Sequence, residues 1–303
     1  MVEDGGDGTV DRASEEDVFA LVGNEIRAGI IRALGDARDA GDPRVVVPFS
    51  DLRAALDSDA RSSRFNYHLQ KLVGTFVEQT ADGYRLRPEG STLYRTLEGG
   101  TFEYRASLDA VDADLDCYHC GTSVDATYNS GEFRIDCQDC GALYETTTRI
   151  PSLAVDNGED VLARIDQYNR HKRLAFTRGI CPTCAQSVSA EFVGPETIPF
   201  EAVTRKVYIQ YRCVHCGNQE LLSVGEVLLW DPGLVAFCDE HGRDIQSIPV
   251  WNLRFAATDQ TVTVEAREPW RVTLRVPADE EVLELAVNNE VTVVGQSVRP
   301  LNQ

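Results

Sequence analysis

Apolar residues along the first hundred positions fall into helical and strand spacings in a definite order. Over residues 15–36, Val18, Leu21, Val22, Ile26, Ile30, Ile31 and Leu34 recur at helical intervals and predict an amphipathic helix. The β-branched run at 45–47 predicts a short strand. Phe49-Ser50-Asp51-Leu52 opens a second helix with Ser50 as its expected N-cap; it ends near Leu56, before turn chemistry at Asp57-Ser58-Asp59-Ala60. A third helix is expected over 62–73, with Phe65, Leu69 and Leu72 inward and Gly74 as its C-cap. Segments 76–80 and 84–87 flank Ala81-Asp82-Gly83 as a hairpin with Asp-Gly at its tip, and a helix follows over 91–98. Helix, strand, helix, turn, helix, hairpin is the order of a winged helix-turn-helix, whose third helix keeps one face free for a DNA groove.

Beyond residue 100 the pattern changes. Residues 117–149 read as short strands between cysteine pairs. Residues 159–177 form an amphipathic helix on Val161, Leu162, Ile165, Tyr168 and Leu174. A second cysteine set occupies 181–224. Val227, Leu228, Leu229, Leu234 and Val235 predict a helix over 225–242, with Asp231-Pro232-Gly233 as the place where it would break. Alternation at 261–265, 271–276, 281–287 and 290–294 predicts a small antiparallel sheet. The expected fold class is therefore α+β: a winged helix-turn-helix over 15–100, zinc-ribbon-like β modules over 101–150 and 179–224 joined by a helix over 151–178, and a helix with a C-terminal antiparallel β segment over 225–303. Residues 1–14 are expected to be a disordered acidic tail.

Charge sharpens this reading. The 303 residues carry 49 acidic and 29 basic side chains, for a net charge of −20, and Lys71, Lys172 and Lys206 are the only lysines. Many carboxylates with so little lysine match the proteome bias of extremely halophilic archaea, where near-molar salt screens repulsion within about 3 Å. An acidic partner-binding surface is the alternative; the even spread of charge along the chain favours the halophile reading. No stretch approaches the roughly 20 apolar residues of a membrane-spanning helix. The N-terminus lacks the basic-then-apolar order of a signal peptide, so a cytoplasmic protein is expected.

On this acidic background, residues 60–77 contain no carboxylate, while Arg61, Arg64 and Lys71 make the segment locally basic. Ser62, Ser63, Asn66, Tyr67 and Gln70 project opposite the inward Phe65, Leu69 and Leu72. Asn and Gln pair bidentately with adenine, and Arg with guanine or phosphate. Arg85 and Arg87 on the hairpin are placed to reach backbone phosphate or the minor groove. His68 lies beside the core face and reads as a packed histidine.

Eight of the nine cysteines form four Cys-x2-Cys pairs: Cys117 with Cys120, Cys137 with Cys140, Cys181 with Cys184, and Cys213 with Cys216. In a cytosolic chain such pairs read as metal ligands rather than disulfides. Two turns of this kind brought together by strands give a closed tetrahedral S4 cage, which suits structural zinc. Pairing across the two sets, and iron in place of zinc, stay open. Cys238 and His241 make half of a further motif with no second half, and read as a buried thiol and a helix-end histidine. His119 and His215 read as spacers, and Arg170-His171-Lys172-Arg173 as a solvated or dimer-facing basic run.

Residues 15–98, above all Ser63-Arg64-Phe65-Asn66-Tyr67-His68-Leu69-Gln70-Lys71-Leu72, resemble the recognition helix and frame of the ArsR-like winged helix-turn-helix regulators of halophilic archaea. The chain from Cys117, including Leu229-Trp230-Asp231-Pro232 and Asp239-Glu240-His241-Gly242, resembles the cysteine-rich C-terminal domain attached to many of them. The resemblance implies transcriptional control on double-stranded DNA as a homodimer, and it implies no particular effector. Metal-sensing relatives carry cysteines on the winged-helix helices, and this chain has none before Cys117. Phosphate-binding glycine loops and a Gly-x-Ser-x-Gly elbow are missing from the sequence. The expected function is a non-enzymatic, sequence-specific DNA-binding regulator with two structural zinc sites and room for an effector or protein partner in its C-terminal half. A zinc-ribbon interaction module that docks on transcription machinery is the alternative.

Overall fold

The computed structural model describes residues 23–39, 45–56, 62–99, 107–129, 131–148, 160–197 and 205–301. The expected acidic tail, the start of the first helix, the turn at 57–60 and Arg61 lie outside them. The chain divides into two units, Met1–Glu103 and Tyr104–Gln303.

The first unit contains α1 (Glu25–Asp39), α2 (Phe49–Ala55), α3 (Ser62–Leu72), the hairpin β1 (Val77–Gln79) and β2 (Tyr84–Leu86), and α4 (Pro88–Glu98). Its core takes Ile30, Ile31 and Leu34 from α1, Leu52 from α2, and Phe65, Leu69 and Leu72 from α3. These are the apolar stripes of the sequence, and each buried Leu or Phe contributes roughly 1.5–3 kcal/mol. The strand expected at 45–47 reduces to one antiparallel bridge between Val47 and Tyr84, whose amides and carbonyls exchange two bonds of 2.9 Å. The approach is close: a Cβ on Gly83 would lie 2.3 Å from the Val47 carbonyl oxygen.

Two helix starts differ from expectation. Pro48, not Ser50, takes the cap position of α2, because its carbonyl accepts from the amides of Asp51 and Leu52 at 3.1 and 3.0 Å. Ser50 lies inside the helix and donates to Asp51. Helix α4 begins at Pro88 rather than residue 91, since a proline in the first turn gives up no helical hydrogen bond.

The second unit opens with an antiparallel meander, β3 (Ser107–Asp116), β4 (Ser123–Asn129), β5 (Glu132–Asp136) and β6 (Leu143–Thr148). Helix α5 (Val161–Thr177) leads to a second sheet of β7 (Val188–Val193), β8 (Tyr208–Cys213) and β9 (Gln219–Leu222). The helix expected over 225–242 is broken into α6 (Val224–Val227), a 3-10 turn at Leu228–Trp230 and α7 (Pro232–Glu240). Asp231 causes the break: its carboxylate accepts from the amides of Gly233 and Leu234, and Pro232 fills the first turn of α7. After α8 (Arg254–Ala257), β10 (Val262–Arg267), β11 (Trp270–Ala278), β12 (Glu281–Val287) and β13 (Val293–Pro300) complete an antiparallel sheet. The last strand starts later than expected because the Asn288 side chain accepts from the amides of Glu290 and Thr292 and turns the chain there. The fold is α+β.

Neither cysteine-bearing sheet stands alone. The first packs on Val161 and Ile165 of α5 and on Trp251 and Ala257. The second shares one core with α7 and the C-terminal sheet, through Ile209, Tyr211, Leu234, Phe237, Leu274 and Leu285. Helix α5 joins them by charge as well. The run Arg170-His171-Lys172-Arg173 is solvated only in part: His171 is exposed and Lys172 half-buried, but Arg170 and Arg173 are only 4% and 5% exposed. Their spacing puts them on the buried side of α5, where partners come from sequence-distant elements. Arg170 pairs with Asp166 at 2.7 Å and donates to the carbonyls of Ile245 and Ile248. Arg173 grips Glu145 of β6 through two bonds of 2.9 and 2.6 Å, and lies 2.9 Å from Glu226 of α6 and 3.5 Å from Glu220 of β9.

Arg173→Met is expected to lower the stability of the C-terminal unit by about 3–5 kcal/mol, because Glu145 is left buried without a countercharge. Adding Glu145→Gln should return part of the loss, and denaturant unfolding followed by circular dichroism measures both. Burial alone would raise the Glu145 pKa, but the Arg173 charge and hydrogen bonds and the Thr147 hydroxyl hold it below its ordinary 4.5. Its contribution is therefore complete above pH 4.5 and lost as the pH falls further, an acid limb the double variant should lack.

Candidate metal centres and nucleic-acid interface

Four tight turns present the eight paired cysteines, and all four are built alike. In each, the amide of the first cysteine donates to the carbonyl five residues on, and the amide four residues on donates back: Cys117 with Thr122 and Gly121, Cys137 with Ala142 and Gly141, Cys181 with Gln186 and Ala185, Cys213 with Asn218 and Gly217. The residue after the second cysteine is left-handed every time, with φ of 81°, 72°, 57° and 72° at Gly121, Gly141, Ala185 and Gly217. Glycine suits that conformation; the third turn accommodates an alanine instead.

The strands bring these turns together two by two. Cys117, Cys120, Cys137 and Cys140 form one group and Cys181, Cys184, Cys213 and Cys216 the other, with the sulfurs of each group within 4.8 Å of one another. Pairing therefore runs within each set, not across them. Sulfur–sulfur contacts are 3.5 Å for Cys117–Cys140 and Cys120–Cys137, and 3.6 and 3.5 Å for Cys181–Cys216 and Cys184–Cys213. A tetrahedron with metal–sulfur bonds near 2.3 Å has edges of about 3.8 Å, so both groups could hold a metal ion with little adjustment.

Ionisation is uneven before any ion enters. Burial opposes loss of the Cys117 proton, but the Tyr144 hydroxyl and the amides of Cys120 and His119 bring that thiol down to about 6. Burial likewise opposes ionisation of Cys181, and the amides of Cys184 and Thr183 bring it to about 6. Against the favourable bond from the Ala142 amide, burial and the three neighbouring sulfurs push Cys140 up to about 12. Cys120 and Cys213 are also lowered, while Cys137 and Cys184 are raised like Cys140, so each group sets lowered thiols beside raised ones whose ionisation a bound cation would favour.

Tyr144 went unnoticed in the sequence. From β6, four residues past Cys140, its hydroxyl stands 3.1 Å from the Cys117 sulfur and accepts from the Tyr118 amide at 2.9 Å. Nothing in the cysteine spacing marks it; only the register of β6 does. At the second cage Asn218 donates toward the Cys181 sulfur at 3.8 Å. Cys238 and His241 join neither group. Cys238 is 1% exposed with its thiol pushed up by burial, and the His241 ring contacts the Phe237 carbonyl. His119 and His215 are exposed spacers within their turns.

In the first unit, Ser62, Ser63, Arg64, Asn66, Tyr67, Gln70 and Lys71 all lie exposed on α3, with Tyr67 at 58%. Phe65, Leu69, Leu72 and also His68 are buried beneath them. Lys71 sits over the Tyr67 ring, and Gln70 donates weakly to the Tyr84 hydroxyl across to the hairpin. Among the described residues Arg64 and Lys71 meet no carboxylate. The hairpin arginines differ: Arg85 pairs with Glu78 at 2.8 Å and Arg87 with Glu89 at 3.5 Å. Arg61 falls outside the described residues.

Residues 114–293, more than half of the chain, match the family described as Domain of unknown function (DUF7351). The chain belongs to that family. The DUF7351 match takes in both cysteine cages, α5 and most of the C-terminal sheet, in keeping with their shared cores. Residues 15–97, covering α1 to α4, match a second family, Domain of unknown function (DUF7347). No curated protein and no solved structure matches the chain. No helix among the described residues is long and apolar enough to cross a membrane.

Tyr144→Phe is expected to weaken metal binding at the first cage about tenfold while leaving the second unchanged, since outer-shell partners of ligands are worth 10–100-fold in affinity. Competition with a chromophoric chelator on the full chain resolves the two sites.

Proposed function

We propose that the protein is a sequence-specific DNA-binding transcriptional regulator of the ArsR-like type. Its N-terminal unit is a winged helix-turn-helix in this reading, with α3 in the major groove and the hairpin as the wing. The observation that carries it is the outward face of α3: polar and basic side chains able to read base edges, in a carboxylate-free segment of a chain with net charge −20. Asn66, Gln70 and Arg64 are the base-reading residues, Ser62, Ser63, Tyr67 and Lys71 support them, and Arg85 and Arg87 act only where phosphate displaces Glu78 and Glu89. A homodimer would place two such helices on half-sites about one helical turn apart. The regulator works in the cytoplasm and is not an enzyme.

The metal in both cages is zinc in this reading, with a structural role, because four thiolates close the coordination sphere and leave no position for substrate. A second reading, an interaction module that reads no bases, draws support from the pairing of both hairpin arginines with carboxylates.

Binding to duplexes enriched from a random pool, followed by fluorescence anisotropy in high KCl, separates the two. Asn66→Ala and Arg64→Ala are each expected to cost about 1–3 kcal/mol, roughly 5- to 150-fold in affinity for the enriched sequence. Equal affinity for enriched and random duplexes, or none for either, rejects the regulator. For the metal, cobalt(II) is expected to take two equivalents per chain with tetrahedral thiolate absorption; an iron-loaded, reversibly reducible protein from native cells would overturn zinc.

A further inference from the structure

A cavity of about 460 Å³ opens in the C-terminal unit between the Tyr118 turn of the first cage, the loop after α7 and strand β11. That volume is in the range of small-molecule sites. Its apolar wall comes from Cys238, Ile245, Leu253, Phe255 and Val276, all buried. Arg243 and Arg254 also line it, and no Asp or Glu does. In a chain with 49 acidic residues that is a pronounced local reversal of charge.

Both arginines are held by neutral partners. Arg254 donates to the Gln260 side chain and lies over the Tyr118 ring at 5.5 Å, while Gln260 is anchored on the Tyr118 carbonyl at 3.2 Å. Arg243 donates to the Pro277 carbonyl at 3.3 Å. Among the described residues neither meets a carboxylate, so two exposed arginines without an ion-pair partner border the apolar wall. The Thr261 hydroxyl and the Asn252 side-chain carbonyl, also in the lining, have no hydrogen-bond partner among the described residues. Guanidinium forks match a carboxylate in shape and charge, and the wall suits an alkyl or aryl body.

We propose that this cavity binds a small amphipathic monocarboxylate, its apolar body against Ile245, Leu253, Phe255 and Val276 and its carboxylate met by Arg243 and Arg254. Isothermal titration of the metal-loaded full chain with octanoate, octanol and octylamine tests it. Octanoate is expected to bind one per chain, and the alcohol and amine at least tenfold more weakly. Arg243→Gln and Arg254→Gln should each weaken octanoate about tenfold, the worth of one hydrogen bond to a charged group. Both side chains are exposed, so the melting temperature without octanoate should stay close to that of the parent. Ile248→Trp, at the half-buried wall, should fill the cavity and remove binding. No binding of octanoate, equal binding of octanol, or undiminished octanoate affinity in the double arginine variant would overturn the assignment.

Discussion

The Arg173 guanidinium sits among three carboxylates that arrive from three different elements: Glu145 from the first cysteine-bearing sheet, Glu220 from the second, and Glu226 from the short helix beyond it. Burying such a cluster is not by itself stabilising, since desolvation offsets much of the attraction. Its effect is on arrangement. If either sheet slid away, at least one buried charge would lose its partner, at a cost of several kcal/mol. The Thr147 hydroxyl closes the cluster by donating to Glu145 and accepting from the Asn169 amide, and Glu226 is tied down by the capping box it makes with Ser223. The two cysteine-bearing sheets are tied to each other through this one point.

How much of this could be read beforehand divides along physical lines. The helices and hairpin of the first unit follow short-range rules: Phe65, Leu69 and Leu72 mark the inward stripe of α3, and Asp82-Gly83 marks the turn. The cysteine cages are legible for a similar reason, because a Cys-x2-Cys turn is a local object whose chemistry has few other uses. Arg170 and Arg173 are the opposite case. Nothing near them in sequence reveals that Glu145 lies 28 residues earlier and Glu226 lies 53 later, so a basic run on a helix looked like a wet surface. Tyr144 escaped notice because its role depends on strand register. Ser50 looked like a cap by composition, while Pro48 won the position through its fixed backbone angle of −58°.

Two surfaces of the protein share a property that composition makes conspicuous. The outer face of α3 and the cavity beside Tyr118 both lack carboxylates in a chain where acidic residues are spread from end to end. On a protein of net charge −20, keeping acidic groups away from a surface is what lets an anion approach it at all.

At the residue after the second cysteine, one of the four turns differs from the others by a methyl group. Ala185 holds a φ of 57° that its three counterparts fill with glycine, a conformation costing a side-chain-bearing residue about 1–2 kcal/mol. Where the turn forms only around its ion, that cost is drawn from the affinity of the ion itself, by a factor of roughly ten. The two cysteine groups are thereby unequal in backbone cost, and the group that includes Cys184 bears the larger one.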